Sequence, residues 1–589
     1  MRPLAVLTLW LTLFGLAAGG YLLLVRPYTD RLRVTEQLRS EHRELSNSIY
    51  HARDGWPMST PDFVPGTVAD MQAQVQLLRD VLAGTAVLPT HTRIPVRLGL
   101  DSYSGYAVLR TPATAQTLAT AGFNLELVDD QSRYAERYEA LVNGTLQAAV
   151  FPLDSWLLLA AQSAKGGSAR VAGAAMPPPP IAMLISRSQG ADGIVAWADA
   201  VPSLDALNHP DARFVAVPDS PSQTLARITL TQFDLVQLPL NGFIDATGGD
   251  DVLKRLVAAR GSASRHGFVL WEPELSRALA IPGVHLLVDS SAFGGLITDV
   301  LVLSRAWMAA QPKAPEHLVR ALLRAQHAAT TSPGGLTAVV RADAQAANTP
   351  LTDPQLARLA AGIHWASTGE NYAALGLLPR AQTAAEPLKP TLARLARALS
   401  LAVPELQSQL QAVAAQSDIF AEAPLRRLLE ANFHPGGAEA ARAAIDQDLR
   451  PPPPPRPLTD RQWAALQPLG TLRVGRLVFA RGTATLIDAS RPPLAELAET
   501  MRALPGFYLL VRGHARPEGD PTANRALAQQ RAEAAVAELR ALGIQPTRLR
   551  AVVGDLAVAP GGAAGEAQSV TFVLGRPPAA DPPAAGNPP

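Results

Sequence analysis

The sequence predicts an α/β protein of several domains, and three observations carry that reading. The chain has 589 residues, more than one hydrophobic core supports. Short apolar runs alternate with helical stretches between Ile94 and Leu303, the pattern of strands and crossover helices in a largely parallel sheet. A proline run, Pro451–Pro455, then stops any helix and favours an extended spacer, so a further compact unit is expected from Leu458.

Within the α/β stretch the strand candidates are Ile94–Asp101, Phe123–Val128, Gln147–Phe151, Ile181–Ser186, Phe214–Val217, Phe268–Leu270 and Val284–Val288. Segments such as Ala107–Ala121 and Ser132–Asn143 carry the intervening helical periodicity. Ligands in such sheets bind beyond the C-terminal ends of the strands, which singles out a small set of loops. Asp101-Ser102-Tyr103-Ser104-Gly105-Tyr106 follows the first strand and opens a helix. Asp219-Ser220-Pro221-Ser222-Gln223-Thr224 puts hydroxyls and a proline at another helix start. Hydroxyls and backbone N–H groups at helix N-termini bind small anionic or polar molecules without a dedicated cation. Ser102, Tyr103, Ser104, Tyr106, Ser222, Gln223 and Thr224 are therefore candidates, with ordinary helix capping as the competing role. Asp154 and Ser155 follow the third strand, and Trp271 and Glu272 follow a later one; Trp271 serves equally well as a core aromatic.

Composition narrows the chemistry. Lysine and arginine number 52 against 51 acidic residues, so no charge excess points to nucleic acid. Cysteine is absent, which excludes disulfides, thiolate metal sites, cysteine nucleophiles and lipid attachment through cysteine. No nucleophile motif, metal cluster or phosphate loop is evident, and His91 and His266 are isolated, so neither a cofactor nor an enzymatic activity is expected.

Before the α/β stretch, Pro3–Val25 is free of charged side chains and bracketed by Arg2 and Arg26. About 20 apolar residues cross a bilayer core, so a transmembrane helix is expected here, with a cleaved signal peptide as the alternative. Arg26, Arg31 and Arg33 on the C-terminal side oppose the orientation that places the rest of the chain outside the cytoplasm. From Tyr28 to Val87 charged and aliphatic residues alternate at helical spacing, as expected of a solvated stalk. Ala306–Leu449 reads as helical, and Arg576–Pro589 as a Pro/Ala/Gly-rich disordered tail.

Two resemblances add to this. The segments Gly122–Val128, Ala140–Ala149, Ser188–Val195 and Leu270–Leu275 occur in the order found in periplasmic solute-binding proteins of the nitrate, taurine, sulfonate and thiamine-precursor group, the substrate-binding components of ABC transporters. That resemblance implies a two-lobed fold, a small solute in the interlobe cleft and an ABC permease partner. One branch of the superfamily is enzymatic through a cysteine-rich iron site, which a chain without cysteine lacks.

Residues Leu469–Leu574 resemble the OmpA-like peptidoglycan-binding domain through Val478–Leu486, Leu510-Val511-Arg512-Gly513-His514-Ala515-Arg516, Asn524, Leu527, Arg531 and Ala532, then Leu542-Gly543-Ile544 and Arg548. The family clamps diaminopimelate with an aspartate after the Gly-His pair and an arginine on the next helix. Arg531 stands at the arginine position, with His514 and Asn524 beside it. Arg516 occupies the aspartate position, a charge reversal that weakens or alters peptidoglycan binding. Glu518 and Asp520 are candidates for the missing carboxylate, and fold maintenance is the competing role for Asn524 and Arg531.

The expected organisation is an anchor over 3–25, a helical stalk over 26–87, a solute-binding-protein-like region over 88–449 with a helical C-terminal part, a Pro-rich linker over 450–457, an OmpA-like domain over 458–576 and a tail over 577–589. The expected function is a single-pass inner-membrane protein with its bulk in the periplasm that binds a small solute and is tethered to the wall. The alternative is a structural tether with a degenerate cleft.

Overall fold

The computed structural model describes residues 3–22, 26–52, 63–64, 66–87, 93–166, 170–171, 174–175, 177–293, 295–378, 387–437, 456–504, 506–514, 519–554 and 570–577. The proline run 451–455, most of the expected tail, and Ala515, Arg516 and Glu518 lie outside them.

Lobe 1 is built on six strands. β1 (Ile94–Leu100), β2 (Phe123–Asp129), β3 (Ala148–Pro152) and β4 (Ile181–Ser188) come first in the chain. Lobe 2 then contributes β5 (Asp192–Trp197), β6 (Arg213–Ala216), β7 (Phe243–Asp245), β8 (His266–Trp271) and β9 (Val284–Asp289), before β10 (Thr298–Leu303) and β11 (Ile363–Trp365) return to lobe 1. The sheet orders are β11-β4-β10-β3-β1-β2 and β9-β5-β8-β6-β7.

The expected parallel arrangement holds for β1 with β2 and β3 and for β6 with β7 and β8. It fails where the chain changes lobes. β10 runs antiparallel to both β4 and β3, and β5 antiparallel to both β8 and β9. The reason is topological: the chain leaves lobe 1 after β4 and comes back through β10, so the outgoing and returning strands lie side by side in opposite senses. The two crossings, 189–191 and 290–297, are tied together by Ser290 Oγ, which accepts from Gly190 N at 2.8 Å and lies 2.7 Å from Ser188 Oγ.

β3, β5 and β10 are buried along their whole length, which is why they read as continuous apolar runs instead of alternating ones. The helices Leu388–Ala402 and Gln407–Ala415 pack on the helix Leu153–Gly166, and the former also packs on Pro221–Gln232, so the helical region after lobe 1 spans both lobes.

At the other end of the chain, Arg26–Ala52 packs against Val68–Ala83. The second helix starts with a Thr67/Asp70 capping box and buries Met71, Val75, Leu78 and Val81 at helical spacing. The expected transmembrane helix over 3–25 is not supported: among the described residues no helix is long and apolar enough to cross a membrane. The α-helix that forms is Pro3–Gly20, followed by a π-helical turn at Tyr21 and Leu22.

A third sheet holds β12 (Gln467–Thr471), β13 (Tyr508–Gly513), β14 (Leu549–Val553) and β15 (Val570–Arg576) in the order β12-β15-β13-β14. Val478–Leu486, which the family resemblance reads as a strand and turn, forms one antiparallel bridge between Phe479 and Leu486. The helix Pro521–Ala541 packs on β13 and β14. Its approach is so close that a Cβ on Gly513 would sit 1.8 Å from the Ala528 carbonyl oxygen, so only glycine fits there. Arg548, 5% exposed, turns inward to donate to the carbonyls of Met501, Leu504 and Phe507, closing the end of the helix Arg491–Ala503.

This unit docks on lobe 2. Asp234 N donates to Thr471 O at 2.9 Å and Arg473 N to Gln232 O at 2.7 Å. Arg576 Nη2 reaches Asp289 Oδ1 at 2.9 Å and Ser291 Oγ at 2.7 Å, beside the returning crossing.

Candidate functional site

The loop after β1 is shaped by a buried ion network. Asp101 follows β1 and Asp130 follows β2, and both carboxylates converge on Arg137 of the helix Tyr134–Val142. Arg137 Nη2 lies 2.9 Å from Asp101 Oδ2 and Nε 2.5 Å from Asp130 Oδ2, with side-chain exposure of the arginine at 0%. Nη1 donates to Val150 O of β3 at 2.6 Å. Burial opposes the charge on Arg137, but Asp101 and Asp130 outweigh it and hold the guanidinium above its ordinary value. Asp101 Oδ1 then accepts from Tyr103 N at 3.0 Å. The turn that follows puts the Tyr103 ring against Gly105, where a Cβ would lie 2.2 Å from a ring carbon, and edge-on to Tyr106 at 5.2 Å between centroids.

From this base Tyr103 and Tyr106 point into a space between the lobes. Tyr134, Pro152, Ile297 and Asp299 of lobe 1 and Asp192, Pro221 and Trp271 of lobe 2 complete its lining. Asp192 and Trp271 are register partners on β5 and β8. Asp299, the second residue of β10, accepts from Tyr106 Oη at 2.8 Å and Ser186 Oγ at 2.6 Å. The space is small, about 10 Å³, no more than one water molecule occupies.

The site is acidic. Burial lifts Asp299 to about 8 against the hydrogen bonds from Ser186 and Tyr106, and lifts Asp192 to about 7, where nearby Asp154 and Glu272 add to the effect. Burial likewise takes Glu272 to about 7 and Asp154 to about 6. Tyr103 is raised well above the usual phenol range by burial and by the neighbouring Asp192 and Asp299.

The remaining sequence candidates divide. Trp271 lines the space and also belongs to the buried apolar core, so both of its expected roles are compatible with its place. Glu272 is 0% exposed, accepts from Ser276 N and Oγ, and lies 3.4 Å from Arg358 Nε. Asp154 and Ser155 begin the helix Leu153–Gly166 behind the cleft and Thr224 faces them; all three are fully buried. Thr224 is near enough to Asp154 to favour its charge, yet both Asp154 oxygens, Ser155 Oγ and Thr224 Oγ1 lack a hydrogen bond of good geometry among the described residues.

Ser222 and Gln223 serve their own loop: Ser222 Oγ lies 2.9 Å from Ser220 Oγ, and Gln223 Oε1 accepts from Asp219 N at 3.1 Å. Ser104 is buried at the turn's start. Ser102 is exposed and away from the cleft lining. Sequence reasoning missed Asp192, Asp299, Tyr134 and Arg137. A carboxylate at the mouth of a wholly apolar run, as in Asp192-Gly-Ile-Val-Ala-Trp and Thr-Asp299-Val-Leu-Val-Leu, was the available signal.

In the C-terminal unit His514 Nε2 lies 2.8 Å from Thr571 Oγ1. Arg531 Nε donates to Thr483 O at 3.2 Å and its guanidinium lies 5.2 Å from the centre of the Phe479 ring. Asn524 and Arg531 stand seven residues apart, on one face of the helix Pro521–Ala541. Asp520 is engaged as that helix's N-cap, accepting from Thr522 N at 2.9 Å, which occupies one of the two carboxylates considered as substitutes. Arg516 itself lies outside the described residues.

Comparison with solved structures finds the periplasmic aliphatic sulphonate binding protein of Escherichia coli, 13% identical, over 56% of this chain and 99% of that one, with a TM-score of 0.40. The periplasmic nitrate-binding protein of Synechocystis PCC 6803 is 13% identical over 61% of this chain and 99% of that one, with a TM-score of 0.36. The peptidoglycan-associated lipoprotein of Burkholderia pseudomallei is 28% identical over 17% of this chain and 89% of that one, with a TM-score of 0.16. No curated protein matches the chain by sequence. Residues 478–565 match the OmpA family, and the chain carries an OmpA-family domain in that C-terminal stretch.

Proposed function

We propose that this chain is a non-enzymatic binding protein of the cell envelope, in which a two-lobed solute receptor is tethered to peptidoglycan by the OmpA-family domain. The observation that carries the receptor reading is the convergence of Tyr103, Tyr106 and Asp299 from one lobe with Asp192 and Trp271 from the other on one interlobe space. Polar and aromatic groups from separate lobes, meeting at two chain crossings, are the arrangement of a hinged ligand clamp. An ABC permease is the expected recipient of the solute.

A periplasmic location with an inner-membrane anchor is part of the proposal. Its support is the helix Pro3–Gly20, where Trp10, Leu11, Phe14 and Leu16 are 67%, 63%, 73% and 70% exposed. Apolar side chains so uncovered by protein are stabilised by a lipid phase. Retention on the wall would run through Arg531, His514 and Asn524, weakened by Arg516, which repels the ammonium that an aspartate would hold.

The small free volume, about 10 Å³, favours a second reading, a structural tether whose cleft has closed for good. Calorimetry of the full chain in detergent against a solute panel, beside co-sedimentation with isolated cell wall, separates the two. Saturable micromolar binding establishes the receptor; wall retention without solute binding leaves the tether.

A further inference from the structure

We propose that the interlobe cleft takes an organic cation, an ammonium or guanidinium solute, in place of the small anion that the family resemblance implies. The inference rests on the receptor reading above. Carboxylates enter the space from both sides, Asp299 from lobe 1 and Asp192 from lobe 2, and the rings of Tyr103, Tyr134 and Trp271 share it with them. Aromatic faces attract a cation held within about 6 Å of their centroids, and carboxylates supply the counter-charge that a desolvated cation needs. An anion gains no such counter-charge there, and burial holds both carboxyls close to their neutral form until a bound cation draws off their protons.

A second, independent observation points to a ligand. The Tyr103 hydroxyl belongs to a residue 8% exposed, lines the space, and lacks a hydrogen bond of good geometry among the described residues, although Ser188 is near enough to favour its charged form. A buried hydroxyl left unmatched costs roughly 1–3 kcal/mol, which a donor group on a bound solute would recover.

Of the arginines nearby, Arg137 is held between Asp101 and Asp130 and Arg358 lies beside Glu272; Arg227 lies 5.9 Å from the centre of the Phe243 ring and close to Asp219 and Asp154, with Nη1 unpartnered among the described residues. Among the described residues no three histidine or carboxylate side chains converge as metal ligands, which places an organic cation ahead of a metal ion. The space must enlarge to admit such a solute, and the crossings 189–191 and 290–297 are where the lobes can part.

The test is calorimetry on the full chain with agmatine, putrescine and choline beside nitrate and taurine, on the parent protein and on Asp192→Asn, Asp299→Asn and Trp271→Leu. Hydrogen exchange over 94–303 checks that each variant is folded. The expected result is saturable binding of at least one cation, weakened roughly thirtyfold or more by either asparagine and less by the loss of the ring. Nitrate or taurine binding without cation binding overturns the cation class and leaves the receptor standing. Cation binding indifferent to all three substitutions overturns the site. No binding of any probe by folded protein overturns the cation and the receptor together.

Discussion

Replacing Arg137 by methionine removes the one cation that two buried carboxylates share and keeps most of its length. Asp101 and Asp130 side chains are 2% and 10% exposed, so water replaces the lost partner poorly. Breaking a buried pair by deleting one partner costs about 3–5 kcal/mol, because the charge left behind has no compensation. For a lobe of this size each kcal/mol is worth roughly 2–4 °C, so the lobe should melt roughly 6–20 °C lower. The assay is thermal unfolding combined with amide hydrogen exchange over 94–152, which isolates lobe 1 from the OmpA-family domain in a chain that need not unfold in one step. The triple variant Arg137→Met, Asp101→Asn, Asp130→Asn should recover most of the loss, since neutral amides are cheaper to bury than carboxylates. A single variant within about 0.5 kcal/mol of the parent, the scatter of neutral surface changes, would refute the reasoning. A triple variant no better than the single would show that the loss comes from packing and not charge.

Three further outcomes follow from the same geometry. Burial raises Asp192 and Glu272 to about 7 and Asp299 to about 8, far above their unfolded values near 4. Between those limits the folded state binds more protons, so stability is greatest near pH 4–5 and falls as pH rises toward 8. Melting temperatures across that window should decline, and Asp299→Asn should flatten the decline; a slope unchanged by the substitution argues against the assignment. Gly513→Ala forces a methyl into the Ala528 carbonyl and should cost about 1–3 kcal/mol, read as faster exchange in Tyr508–Gly513 and Pro521–Ala541; unchanged protection there would contradict the packing. Arg576→Ala removes the partner of Asp289 at a side chain 36% exposed. It should change stability by less than about 1 kcal/mol yet loosen the docking of the OmpA-family domain, seen as a larger radius of gyration in solution scattering.

The architecture was largely legible in the chain because strands and helices impose periods that a single sequence displays. Ile94–Leu100, Phe123–Asp129 and Ala148–Pro152 form where apolar runs placed them, and Gly513-His514 with Arg531 marked the domain that the OmpA family match covers. β5, β7, β10 and β11 were not among the expected strands; β5 and β10 carry an acidic residue at or next to their first position. The same two acids then turned out to line the cleft, since only the crossing of the chain between lobes brings Asp192, 107 residues before Asp299 in sequence, into one space with it. Sequence alone determined the elements, the absence of cysteine chemistry and the identity of the hydroxyl loops. Which loops faced the interlobe space and which merely capped helices was a tertiary decision. Ser222 and Gln223 satisfy their own backbone, whereas Tyr103, held by Asp101 and Arg137, is left with a hydroxyl that nothing in its own loop can meet. The sign of the cleft was decided there too, because a net charge of +1 over the whole chain says nothing about the few carboxylates that folding gathers out of reach of water.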